Sequence, residues 1–103
     1  MVILESHGNV RFVVDDPRAQ KITLVGRFDG YHDQEIPLTR ISGCRWEAHL
    51  RLGAGEYLFG YLIDDEHWLI DPDAHGTMVA QDGRTMSRLW CPPESIEPDS
   101  IAA

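Results

Sequence analysis

Two aromatic residues stand where a ring could meet a ligand. Tyr31 follows Asp29-Gly30 in "VGRFDGYH", the loop that leaves an apolar strand, and Trp68 comes just past the turn "DDEH". A flat ring held out by a loop or turn packs against another flat, C–H-rich surface, and both shed water. Phe28, in the same loop as Tyr31, reads as a core residue. Trp46 heads an alternating strand and reads as structural. Trp90 adjoins Leu89 on the last strand, so one of the two must point outward, and an exposed Trp there would form a contact surface.

Other chemistry finds less support. "DDEH" (64–67) and "DPDAH" (71–75) contain metal-ligand types but are short and local, with no third ligand at a diagnostic spacing, so they read as solvated turns. Glu47, His49 and Arg51 alternate along one strand and read as a polar cross-strand face. The chain has no Gly-x-Ser-x-Gly, phosphate-cradling loop or His-Glu-x-x-His. Carboxylates are plentiful, but glycosidase chemistry needs two of them across a cleft, more than a small sandwich forms. No enzyme activity, metal or cofactor is expected.

At 103 residues the chain is one domain's worth. Seventeen acidic against nine basic residues give a formal charge of -8, a field that repels phosphate backbones and anionic lipid. Nucleic acid and membrane are therefore not expected as partners, while neutral ligands are not excluded. The first ten residues lack a basic n-region and a long apolar run, and no segment approaches the roughly 18 apolar residues of a membrane span. The expected compartment is the cytoplasm, with Cys44 and Cys91 as reduced packing residues.

The elements that must position these residues repeat with period two. "VRFVV" (10–14) and "KITLVG" (21–26) read as strands, and "EIPLTRI" as a weaker one whose Pro37 suits a sheet edge. "SGC" is a tight turn in which Gly43 can take a positive φ. In "RWEAHLRL", Trp46, Ala48, Leu50 and Leu52 face one way. In "EYLFGYLID", Tyr57, Phe59, Tyr61 and Ile63 do the same. "WLIDP" and "TMSRLWC" complete about seven strands with no helical periodicity, which indicates an all-β antiparallel sandwich. Residues 1–91 form the expected domain, and 92–103 an acidic, proline-bearing and loose tail.

The order of these pieces resembles the glycogen- and starch-binding modules of carbohydrate-binding family 48, found at the N-termini of isoamylases and branching enzymes and in the β subunits of AMP-activated kinases. The matching residues are "ITLVGRFDGY" (22–31), "IPLTR" (36–40), "WEAHLRLGAGEYLFGYLID" (46–64) and "HWLIDPDA" (67–74). The resemblance implies an immunoglobulin-like "early set" sandwich. It places the family's two sugar-stacking aromatics on Tyr31 and Trp68 and its ligand-contacting Lys on Gly60, which has no side chain. The family's closing Gly-Thr-x-Asn falls on Gly83-Arg84-Thr85-Met86-Ser87. Its amide is absent, with Ser87 the nearest polar substitute.

The glycan-contacting set implied is thus Tyr31, Trp68, Arg84 and Ser87. One ring contributes about 1–2 kcal/mol by area burial, so two rings without polar anchors give a dissociation constant of roughly millimolar order. The function implied is weak, non-catalytic α-glucan binding, accessory to a glucan-active enzyme of the glycoside hydrolase family 13 type or to a kinase. The alternative is a protein-interaction or homodimerising module that kept the sandwich and lost sugar binding.

Overall fold

The computed structural model describes residues 1–28, 33–80 and 82–93. The strands are β1 (Val2–Leu4), β2 (Asn9–Asp15), β3 (Ile22–Gly26), β4 (Gln34–Pro37), β5 (Thr39–Arg40), β6 (Arg45–Arg51), β7 (Gly55–Ile63), β8 (His67–Leu69), β9 (Thr77–Val79) and β10 (Thr85–Cys91). One 3₁₀ turn, Ser6–Gly8, joins β1 to β2. All strand pairs are antiparallel. The smaller sheet runs β1-β2-β6-β5; the larger runs β4-β3-β7-β10-β9, with β8 paired to β7 beside the end of β10.

The all-β sandwich is as expected from the period-two pattern, but with ten strands among the described residues rather than about seven. The difference has local causes. β1 and β9 are three residues each, too short to show alternation. "EIPLTRI" is two strands in different sheets: β4 pairs with β3, and β5 pairs with β6. The chain crosses between them at Leu38, which is buried and whose N–H donates to the Ile22 carbonyl at 2.9 Å. β4 is an outer strand, where the missing donor of Pro37 costs nothing.

Alternating side chains of the two sheets meet in one core. β2 gives Val10, Phe12 and Val14, β6 gives Trp46 and Ala48, β3 gives Ile22 and Leu24, β7 gives Phe59 and Tyr61, and β10 gives Leu89 and Cys91. Phe12 meets Phe59 edge-on at 5.2 Å, and Phe59 meets Tyr61 at 5.7 Å, the T-shaped geometry that ring quadrupoles favour. Phe28 folds back on this cluster, 6.0 Å from Phe12, and remains half-buried. Gly26 permits it, because a Cβ there would stand 2.5 Å from the Phe28 ring. Trp46 is buried, its indole N–H donating to the Asp16 carbonyl at 3.3 Å.

Several sequence expectations need correction. The turn at Ser42–Arg45 is present, yet Gly43 stays out of the left-handed region; among the described residues the glycines that enter it are Gly8, Gly55, Gly76 and Gly83. Left-handed backbone falls instead on Asp64 and Asp65 (φ 54° and 60°), a conformation that Asp tolerates. The Asp64 carboxylate accepts the Gln20 and Lys21 N–H groups at 2.8 and 2.9 Å, tying the β2–β3 loop to the β7–β8 turn. The polar cross-strand face of β6 is as expected, with Glu47 its buried member: it is 9% exposed, accepts His49 Nε2 at 3.1 Å, and has the Arg45 and cross-strand Arg11 guanidinia within 4.0 Å.

The two thiols also differ. Both are free, but Cys44 is exposed and only Cys91 is buried, so the packing role belongs to Cys91 alone. Burial pushes the Cys91 thiol up from its ordinary value. A disulfide-exchange reagent is expected to modify Cys44 at once and Cys91 only in denaturant. Two fast thiols under native conditions would show that the β7–β10 pair opens readily.

Candidate glycan-binding face

Because Tyr57, Phe59, Tyr61 and Ile63 face the core, Leu58, Gly60 and Leu62 face outward from the larger sheet. Pairing carries that outer face across the neighbours. Val25 of β3 lies opposite Gly60, Trp68 of β8 opposite Leu62, and Arg88 of β10 opposite Leu58.

Trp68 is the centre of this face and is half-buried. Its indole N–H donates to the Thr85 carbonyl at 2.7 Å, which fixes the ring. A Cβ built on Gly60 would stand 2.2 Å from Cζ2, 2.6 Å from Cη2 and 2.8 Å from Cε2 of Trp68. Both neighbours of Cζ2 are closer than they would be to a point equally far out in the ring plane, so that position lies over the face of the ring, not beyond its rim. The indole therefore lies flat on β7 at the one residue that leaves room for it. A Gly60→Ala variant must lift the ring off this seat and off Thr85. It is expected to lose about 1–3 kcal/mol of stability, read from urea unfolding; an unchanged midpoint would show that the ring lifts freely.

Arg84 covers the ring. It follows Gly83, whose φ of +88° turns the chain between β9 and β10, and its N–H donates to Asp82 Oδ1 at 2.9 Å. Its guanidinium carbon is 4.3 Å from the Trp68 ring centroid, and its NH2 group is 3.6 Å from carboxylate oxygens of both Asp33 and Asp82. Arg27 reaches Asp33 from the other side at 3.4 Å. Beside this cluster runs a groove of about 400 Å³, its floor and walls including Leu58, Met78, Met86, Arg27, Asp33 and Arg84.

The four sequence-derived site residues fare differently. Trp68 and Arg84 are brought together on the outer face. Tyr31 lies outside the described residues, but its loop returns at Asp33, whose carboxylate is part of the Arg84 cluster. Ser87 is a correction: it has no exposed surface, faces the core, and its hydroxyl accepts the Asp71 N–H at 2.8 Å. It cannot touch a ligand on the outer face. Asp71 is likewise not a solvated turn residue; it is 3% exposed and accepts the Tyr61 hydroxyl at 2.6 Å and the Asp73 N–H at 2.9 Å. Trp90 is the outward member of its pair with Leu89 and is 49% exposed.

Among the described residues no cluster of three or more His, Cys, Asp or Glu side chains is placed to hold a metal ion. No helix among them is long and apolar enough to cross a membrane.

The family model described as carbohydrate-binding module 48 (isoamylase N-terminal domain) matches residues 2–74. The chain belongs to carbohydrate-binding module family 48. This is a family of non-catalytic binding modules. Solved structures agree with the family-48 fold. Part of a maltogenic amylase from S. marinus superposes with a TM-score of 0.66 at 24% identity, over 88% of this chain and 16% of that protein. A pullulanase from Anoxybacillus sp. LM18-11, solved with maltotetraose, gives 0.65 at 18% identity, over 84% of this chain and 13% of that one. A multi-modular glycogen-degrading pneumococcal virulence factor gives 0.68 at 15% identity, over 88% and 12%. This family-48 chain thus spans less than a fifth of each of these proteins. No curated protein sequence matches it.

Proposed function

We propose that this family-48 chain is a non-catalytic α-glucan-binding module that uses the outer face of its larger sheet. The observation that carries the reading is Trp68: an indole seated flat on Gly60, fixed through its N–H, on an outward face of a chain of this family. A pyranose presents a C–H-rich face to such a ring, and its hydroxyl edge needs fixed polar groups nearby. Asp33, Asp82 and Arg27 supply charged groups around the ring and groove. Tyr31, in the loop that returns at Asp33, is the proposed second ring.

With two rings and no Lys at position 60, the affinity for one chain end is roughly millimolar, raised on a polymer by multivalent presentation. The proposed partner is a glucan-active enzyme or a kinase, which the module would hold against its polysaccharide. Native electrophoresis in gels containing glycogen or dextran tests the reading. Retardation by glycogen alone is the expected result, and equal mobility in both gels would overturn it.

A second reading, a protein-docking or homodimerising module, draws on Trp90 (49% exposed) with Met78 (43%) and Val79 (64%) in the same sheet. Light scattering that finds a dimer in which Trp90 is protected would favour it.

A further inference from the structure

We propose that Arg84 is a built-in cap on the stacking face of Trp68, so that it sets the affinity of the glucan site; this rests on the glucan reading above. An indole has two faces. One is taken by Gly60 of β7, so close that a Cβ would collide with the ring. The ring N–H is engaged by the Thr85 carbonyl, so the indole cannot turn over without losing that bond. The guanidinium of Arg84 lies over the ring, 4.3 Å from the centroid, and because Gly60 fills one face it is assigned to the other. A stacked pyranose needs the same layer of space. Sugar and guanidinium therefore exclude one another.

The cap is held loosely. Its carboxylate partners stand at 3.6 Å, and the side chains of Arg84, Asp33 and Asp82 are 31%, 42% and 58% exposed. Ion pairs so exposed to water are weak and screened by salt. The capped position also leaves the Arg84 Nε donor shut away from solvent with no hydrogen-bond acceptor among the described residues. A buried donor without an acceptor weakens the state that contains it. The adjacent groove of about 400 Å³ gives the side chain somewhere to go. Gly60 and Arg84 are then linked departures from the family pattern: the side chain missing at 60 lets the ring sink onto the sheet, and the long cation at 84 closes over it.

A neutral oligosaccharide ordinarily binds with little dependence on salt. Here salt loosens the cap, so affinity should rise with ionic strength. Calorimetric titration of maltoheptaose into the wild type at 50 and 500 mM NaCl is expected to show tightening of about 2–5-fold. Arg84→Ala is expected to bind about 10-fold tighter than wild type and without salt dependence. Asp33→Asn, which releases the latch and leaves Arg84 in place, should shift in the same direction. Weaker or unchanged binding by Arg84→Ala would overturn the cap, since Arg84 would then be a sugar contact or a bystander.

A sugar-free readout separates this proposal from the glucan reading. Acrylamide quenching of tryptophan fluorescence should rise in Arg84→Ala, and the rise should vanish when Trp68→Phe is added. No rise means no cap, whatever the sugar does. If neither protein binds maltoheptaose or glycogen while quenching rises, the glucan reading falls and the cap over the ring stands.

Discussion

Asp71→Ala is expected to destabilise the module by about 2–4 kcal/mol, lowering its unfolding temperature on the order of 10–20 °C. The Asp71 side chain has no exposed surface, and it organises a polar knot inside the sandwich. One oxygen accepts the Tyr61 hydroxyl at 2.6 Å, the other accepts the Asp73 N–H at 2.9 Å, and the N-terminal ammonium lies 3.0 Å away. The Asp71 N–H in turn donates to Ser87. Truncation leaves the hydroxyl of Tyr61, itself 1% exposed, without its acceptor, and a buried unpaired polar group costs about 1–3 kcal/mol alone. Asp71→Asn keeps an acceptor for Tyr61 and should lose less. A loss below about 1 kcal/mol in Asp71→Ala would show that Tyr61 finds another partner.

The same knot gives a pH dependence with a definite sign. Burial first, then the hydrogen bond to Asp71 and the negative charges of Asp71 and Asp73, push the Tyr61 phenol above its ordinary value of 10.0. The folded chain keeps a proton that the unfolded chain surrenders. This contribution is therefore complete below a pH of about 10 and declines as pH rises beyond it. Burial raises Tyr57 and Cys91 in the same direction. Urea midpoints taken between pH 9 and 11.5 should fall steeply in the wild type and less steeply in Tyr61→Phe. Equal slopes would mean that Tyr61 ionises in place.

Trp68→Ala is expected to abolish measurable binding of malto-oligosaccharide, a loss of at least about 10-fold, while the domain stays folded. The ring contributes about 1–2 kcal/mol of stacking to an interaction worth only about 4 kcal/mol, so its removal pushes the dissociation constant well beyond millimolar. Stability should change less than in Asp71→Ala, because the indole rests on the outer face of the sheet and not in the core. Circular dichroism and glycogen-gel mobility of the same sample check both statements. Retained retardation in a folded Trp68→Ala protein would remove this ring from the site.

How much of this was legible in the chain depended on whether the signal was local. β6 and β7 could be read residue by residue, since seven- and nine-residue strands with one buried face carry period two in full. β1 and β9 could not, and the step between sheets at Leu38 looked like one continuous strand because both halves are extended. Ser87 was only half legible. It shares the parity of Leu89, but alternation said only that one of Leu89 and Trp90 faces outward, and it took the burial of Leu89 to put Ser87 inside with it. The pairing of Arg84 with Trp68 had no local signal, because β9 and the turns on either side of it separate them in sequence. That Gly60 is a seat, rather than merely a missing Lys, needed the third dimension: the indole reaches it from a different strand.

The outer face around Trp68 is the proposed seat of α-glucan. An amide and indole ¹H–¹⁵N titration with maltoheptaose tests it residue by residue. Progressive shifts are expected in the Trp68 indole N–H and in the amides of Gly60, Arg84 and Thr85, with the β1-β2-β6-β5 sheet unmoved. Shifts confined to that smaller sheet, or none at tens of millimolar sugar, would contradict it.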